Sequence, residues 1–133
     1  MGAAENKQIL RHVYAEISKG NVQALLDALA EDVQWTIIGA TALSGTSRGK
    51  QQVIEKLLQP LRARLADGPL VFTADRFIAE GEHVVMEARG QATAKSGKPY
   101  NNTYCIVARI VDGKIKEMTD YIDTELITSA LGA

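Results

Sequence analysis

Two aspartates near the C-terminal end, Asp120 and Asp123, are the residues of this sequence best suited to proton chemistry, because they lie in and beside a run of alternating apolar positions. A carboxylate turned into an apolar interior is desolvated. Its charged form is disfavoured, and its pKa rises toward the range where it exchanges protons at neutrality. Asp120 is the candidate acid/base. Tyr104, Tyr14 and Asn102 carry donors suited to a carbonyl oxygen and to the enolate or oxyanion that develops from it. Trp35 would supply a flat wall, and Met86 and Met118 suit the lining of the same interior. The candidate catalytic residues are thus Asp120, Asp123 and Tyr104, and the candidate pocket is Tyr14, Trp35, Met86, Asn102 and Met118. Each acid also has a plainer reading. Asp120 could pair with an arginine or backbone donors, and Asp123 could cap a short C-terminal helix over 124–131.

Other motifs carry less. Gly45-Thr46-Ser47-Arg48-Gly49-Lys50-Gln51 is one residue short of a phosphate-loop spacing and has Gln51 where a Ser or Thr is needed, so it reads as a plain loop. Cys105 has no His nearby in sequence and reads as a small hydrophobe. His12 and His83 read as surface residues.

Composition narrows the field. The 133 residues are 46% hydrophobic, the size of one domain with one core. Fifteen Lys and Arg balance sixteen Asp and Glu, which argues against nucleic acid and anionic membrane as partners. A single cysteine and two histidines cannot supply a four-ligand zinc cluster or an internal disulfide, so no metal or cofactor is expected. No run approaches the roughly 20 apolar residues of a membrane span, and no signal segment is evident, which gives a cytoplasmic expectation.

The elements that must position the candidate residues follow from periodicity. Ile9, Leu10, Val13, Tyr14 and Ile17 form one helical stripe over about 4–19, stopped at Gly20. Asn21 is placed to cap a second helix that buries Leu25, Leu26 and Leu29, completing a hairpin. Val33, Trp35 and Ile37 alternate with polar residues as a short strand, and Gly39 to Gly49 reads as loop. A third helix over about 50–66 has Val53, Ile54, Leu57, Leu58, Leu61 and Leu65 on one face and a kink at Pro60. Four strands follow, over 70–79, 83–94, 100–111 and 114–123, separated by turn formers, and form an antiparallel meander. Helices first and strands later make an α+β fold with helices on one face of a curved sheet. Val84, Met86, Ala88 and Gly90 face the helices. The opposite face, with Val85, Thr103, Cys105 and Val107, is half-apolar, as a homodimer surface would be.

The turn at Asp112-Gly113 decides which acid points inward. A two-residue loop puts Asn102 and Tyr104 on one face with Asp123 and Tyr121, and sets Arg109 opposite Lys116, a like-charge pair. A three-residue loop that includes Val111 slips the register by one and puts Asp120 and Met118 on that face instead. The three-residue loop is the expectation. The inward set is then Asn102, Tyr104, Ile106, Met118, Asp120 and Ile122, with Asp123 near the mouth.

The helix hairpin, Asp32-Val33-Gln34-Trp35, the segment Leu43 to Lys50, Pro99-Tyr100-Asn101-Asn102-Thr103-Tyr104, and Asp112-Gly113-Lys114-Ile115 leading to Asp120-Tyr121-Ile122-Asp123-Thr124 together resemble the nuclear transport factor 2-like superfamily. The nearest branch is the SnoaL-like, ketosteroid-isomerase-related proteins. The resemblance covers nearly the whole chain. It implies a cone-shaped α+β barrel enclosing a pocket, commonly as a homodimer, with a pocket acid near the middle of the last strand. It does not fix a reaction, because this fold hosts isomerases, dehydratases, cyclases, hydrolases and binding proteins. Ketosteroid isomerase uses an aspartate base facing a tyrosine and a protonated aspartate. The resemblance puts that base on the first strand, where this chain has Ile37 and Ile38, and the second acid near Cys105 or Ile106. Steroid isomerisation by that route is therefore not expected.

What remains is an isomerase-, cyclase- or dehydratase-like proton transfer through Asp120 on a lipophilic carbonyl compound. The alternatives are a binding module for a small hydrophobic ligand, or an accessory domain that dimerises through its outer sheet face.

Overall fold

The computed structural model describes residues 2–132. Helix α1 (Ala3–Ser18) turns Leu10, Val13 and Tyr14 inward, at the helical spacing that their positions demand. Helix α2 (Gln23–Ala28) follows and is shorter than expected. Asn21 does not cap it. Its side chain donates to Glu16 Oε1 at 3.1 Å and its backbone N–H to the Glu16 carbonyl, so it closes the end of α1 instead. Leu29 is buried as expected, but as the first residue of a strand.

Six strands make one sheet: β1 (Leu29–Ile37), β2 (Gly45–Arg48), β3 (Val71–Glu80), β4 (His83–Gln91), β5 (Thr103–Val111) and β6 (Lys114–Ile122). Their order is β2-β1-β6-β5-β4-β3. The meander β3 to β6 is antiparallel throughout, whereas β1 lies parallel to β6 and β2 antiparallel to β1. β2 falls inside the stretch read as loop. Its sequence Gly-Thr-Ser-Arg has no apolar alternation, and it becomes a strand only by pairing with β1, where the Thr36 and Thr46 hydroxyls meet at 2.8 Å.

The hairpin between β5 and β6 departs from expectation in an instructive way. Asp112 and Gly113 alone form the loop, both at positive φ (50° and 78°), the pair of conformations a type I′ turn requires. Lys116 is then an extra residue. Ile110 pairs with Ile115, but Arg109 pairs with Glu117, so a β-bulge restores the parity that a three-residue loop would have produced. The opposition of Arg109 and Lys116 is relieved by the bulge rather than by the turn. Arg109 forms an ion pair with Glu117, and Lys116 reaches Asp32 at 2.7 Å. The inward residues of β6 are accordingly Met118 and Asp120.

The third helical segment runs through α3 (Lys50–Gln52), a π-helical stretch (Val53–Leu58) and α4 (Gln59–Arg64). Pro60 lacks the N–H of an α-helical bond, and its ring crowds the carbonyl four residues back. The wider π turns ahead of it absorb both problems within a continuous helix. After β6, Asp123 caps α5 (Thr124–Leu126), which continues as a π-helical stretch (Ile127–Leu131).

The helices cover one face of the sheet, where Val33, Val84, Met86, Ile106 and Met118 are buried. On the other face Cys105 and Val107 are half-buried, while Ile78 and Tyr121 are exposed. Among the described residues no helix is long and apolar enough to cross a membrane.

Gly90 on β4 seats the ring of Tyr104: a Cβ there would stand 2.8 Å from Tyr104 Cε1. Gly90→Ala must push that ring aside, and overpacking of this kind costs about 1–3 kcal/mol, against which the strand gains back less than about 1 kcal/mol from losing a glycine. The expected result is a lowered urea midpoint with an unchanged denaturant slope. A midpoint at or above that of the parent would mean that the ring is not held there.

Candidate functional site

A cavity of about 640 Å³ opens between the inner face of the sheet and the helices. Its walls come from three directions. Tyr14 and Ile17 stand on α1, Ile54, Leu57, Leu58 and Leu61 on the third helical segment, and Trp35, Ile37, Phe72, Tyr104 and Asp120 on the sheet. Exposed residues at Gly20, Val22, Gly68 and Pro69 mark the mouth. Aromatics are scarce in the chain, yet five of the seven (Tyr14, Trp35, Phe72, Tyr100 and Tyr104) line this one cavity. Phe72 sits between two of them, 4.8 Å from Tyr14 edge-on and 4.9 Å from Tyr104. Such offset contacts fix ring orientation and leave flat faces on a small volume.

Asp120 projects into this space and is 6% exposed. Two pairings place it. β5 and β6 set it opposite Ile106, and the parallel β1 sets it opposite Ile37. Trp35, two residues back along β1 on the same face, donates from Nε1 to Asp120 Oδ1 at 3.0 Å. Among the described residues Oδ2 has no protein donor. No arginine or lysine pairs with the carboxyl, so the plain reading of a salt-bridged aspartate does not hold. Burial raises its pKa from 3.8 to about 7, and the indole hydrogen bond, which favours the charged form, offsets only part of that rise. The Tyr14 hydroxyl has no protein partner among the described residues, whereas the Tyr104 hydroxyl lies within hydrogen-bonding reach of the Tyr100 hydroxyl. Burial first, then the nearby Asp120 charge, holds Tyr14 well above the usual phenol range. Burial first, with Tyr100 beside it, does the same for Tyr104. Both are therefore neutral donors at any physiological pH.

The remaining candidate residues lie elsewhere. Asn102 is buried, but its amide is spent on the backbone: Oδ1 accepts from Thr103 and Asp123 N–H at 2.7 and 3.1 Å, and Nδ2 donates to the Asp123 carbonyl and to Tyr100 Oη. It ties the start of β5 to the end of β6 and holds Tyr100 in the cavity wall. Asp123 is exposed, and Oδ1 accepts the Leu126 N–H at 3.2 Å, so it caps the C-terminal helix outside the cavity. Met86 and Met118 point inward but are covered by neighbouring side chains and belong to the solid core, not the lining.

Sequence reasoning missed Phe72, Tyr100, Gln59 and Arg62 as lining residues. The apolar stripe of the third helix was legible, but not that it stands off the sheet and walls a hollow. Among the described residues no three His, Cys, Asp or Glu side chains gather where they could hold a metal ion.

The profile of the SnoaL-like domain matches residues 10–118, and the chain belongs to that family. Its architecture is that of the nuclear transport factor 2-like proteins. It is 27% identical to, and superposes with a TM-score of 0.85 on, an NTF2-like protein of unknown function from Burkholderia pseudomallei, over 96% of this chain and 98% of that one. A Catenulispora acidiphila protein with a ketosteroid isomerase-like fold, crystallised in complex with trimethylamine, is 20% identical with a TM-score of 0.76, over 93% of this chain and 92% of that one. An uncharacterised protein of Mycobacterium bovis is 22% identical over 94% of both chains.

A carboxyl whose pKa is higher folded than unfolded makes the fold less stable as pH rises. The folded state holds the proton between the two pKa values while the unfolded state has released it. For Asp120 the window runs from 3.8 to about 7, and the loss across it amounts to about 4 kcal/mol. Asp120→Asn keeps an acceptor for Trp35 and removes the titration. Its stability relative to the parent should therefore climb from near equality around pH 4 to a clear advantage at pH 8, followed by urea unfolding. A difference that does not change with pH would mean that the carboxyl titrates as a surface group does.

Proposed function

We propose that the cavity takes up a small, mostly apolar carbonyl compound and that Asp120 moves a proton on the carbon beside the carbonyl. The observation that carries this reading is the carboxyl itself: buried among aromatic rings, held through one oxygen by Trp35, and without a protein donor on the other. In its charged form Asp120 takes the proton from carbon. The C–H electron pair becomes the new C=C bond and the carbonyl π pair moves onto oxygen. Tyr14 and Tyr104, both neutral, are the donors suited to that oxygen. Return of the proton to the same carbon is exchange, and return to a different one is isomerisation. A base poised near neutrality contributes about 10²–10⁴-fold and each well-aimed oxyanion donor about 10²–10³-fold. A pKa of about 7 keeps a substantial share of the base form present at neutral pH while leaving it basic enough to accept the proton. Flat ring walls favour a substrate that itself contains a ring.

The test uses 2-tetralone, a ring ketone with acidic C–H groups, and follows hydrogen–deuterium exchange at carbon by NMR. The parent protein should accelerate exchange, with a rate that rises with pH and levels off above about 7. Asp120→Asn should lose about 10²-fold or more, and Tyr104→Phe about tenfold or more. Exchange as fast in Asp120→Asn as in the parent would remove Asp120 from the chemistry. Binding of the ketone with exchange no faster than in buffer would make the protein a carrier and overturn the catalytic reading.

A further inference from the structure

We propose that Arg62 receives an anionic group of the ligand at the cavity mouth, so that the molecules this protein takes are organic acids: a ring-containing apolar body with a carbonyl at one end and a carboxylate at the other. The inference rests on the carbonyl-binding reading above and extends it to the far end of the ligand.

Among the residues that line the cavity, Asp120 is the only acid and Arg62 the only base. They sit at opposite depths. Asp120 is buried within, while Arg62 is exposed on α4, beside the rim residues Gly68 and Pro69. Arg76, Arg89 and Arg109 are each paired with a carboxylate. Arg62 is paired with none among the described residues. Its guanidinium is instead fixed by two backbone carbonyls, with Nη1 donating to Gly68 at 2.8 Å and Nη2 donating to Ala66. Carbonyls orient a guanidinium without neutralising it, and two bonds leave three of its five N–H donors available. The charge is thus both uncompensated and pre-oriented, which lowers the entropy lost when a ligand engages it. Leu58, Leu61, Leu65 and Leu70 line the same cavity. A carboxylate on a guanidinium makes charge-assisted hydrogen bonds, roughly twice as strong as neutral ones.

The two charges together orient the ligand. A carboxylate driven inward meets the Asp120 carboxyl, whereas one left at the mouth meets Arg62. An acid-bearing molecule therefore enters with its carbonyl end first, which brings that end to Asp120, Tyr14 and Tyr104.

The experiment compares two probes that share one ring system: 1-anilinonaphthalene-8-sulfonate, which carries an anionic group, and N-phenyl-1-naphthylamine, which does not. Each is titrated by fluorescence against the parent, Arg62→Gln and Arg62→Lys, with competition between the probes to confirm a shared site. Arg62→Gln should weaken the sulfonate about tenfold and leave the neutral probe within about twofold, while Arg62→Lys, which keeps a charge without the fork, should fall between. Equal weakening of both probes would mean that Arg62 only shapes the 66–68 loop, and no weakening of either would mean that it does not meet the ligand. Either result overturns the proposal. If the parent binds neither probe, the cavity reading beneath it fails as well, and that outcome is distinct from the other two.

Discussion

The contact between the Trp35 indole and Asp120 joins two segments 85 residues apart in sequence and gives a buried carboxyl its one protein donor among the described residues. Two strand pairings meet at it, β1 with β6 and β5 with β6. A carboxyl in an apolar cup destabilises the fold once it is ionised, so the surrounding structure must be stable enough to hold it there. That stability comes from the solid half of the interior. Leu10, Val33, Met86, Ile106, Ile115 and Met118 are almost wholly buried, and pack the inner face of the sheet beside the hollow half. The methionines expected to line a pocket are therefore part of the foundation on which it rests.

The hollow exists because of what covers it. The third helical segment has an apolar stripe that would suit direct packing on the sheet, yet Ile54, Leu57, Leu58 and Leu61 face empty volume. Its π-helical turns, placed just ahead of Pro60, alter which residues share a face compared with a regular α-helix. On the sheet side, Gly90 leaves room for the Tyr104 ring, and the Asn102 amide clamps Tyr100 into the wall. Small and polar residues at two positions thus decide where large aromatic ones point.

Much of this was legible in the sequence where the information is local. The α1 stripe, the alternation of β4 and the turn residues at Asp112-Gly113 all specify their own conformation, and the two-residue period of β5 and β6 made Asp120 an inward residue once the parity was right. The route to that parity was not legible: the like-charge conflict of Arg109 and Lys116 was visible, but a bulge relieves it as well as a longer turn does, and both give the same faces. Pairings between distant segments were harder still. Nothing in Gly45 to Arg48 specifies a strand without β1 beside it, and nothing in β1 announces a parallel partner at β6. Asn102 looked like a ligand donor because its type fits, while its actual partners are backbone groups of Thr103 and Asp123 and the Tyr100 hydroxyl, fixed only after the strands have met.

That parallel pairing also bears on how the chemistry of the fold can move. The family resemblance puts the ketosteroid isomerase base on the first strand, where this chain has Ile37 and Ile38. Ile37 is the register partner of Asp120. The acid is thus found one strand over, on the same inner face, and adjacent strands lie about 4.8 Å apart. A shift of that size is about the breadth of a six-membered ring. Under the proposed chemistry, a substrate seated in the same cup would present a different carbon to the base, so a common fold and a shared type of residue need not imply a common product. β1 keeps a part in the arrangement: Trp35 on that strand holds in place the carboxyl that stands on β6.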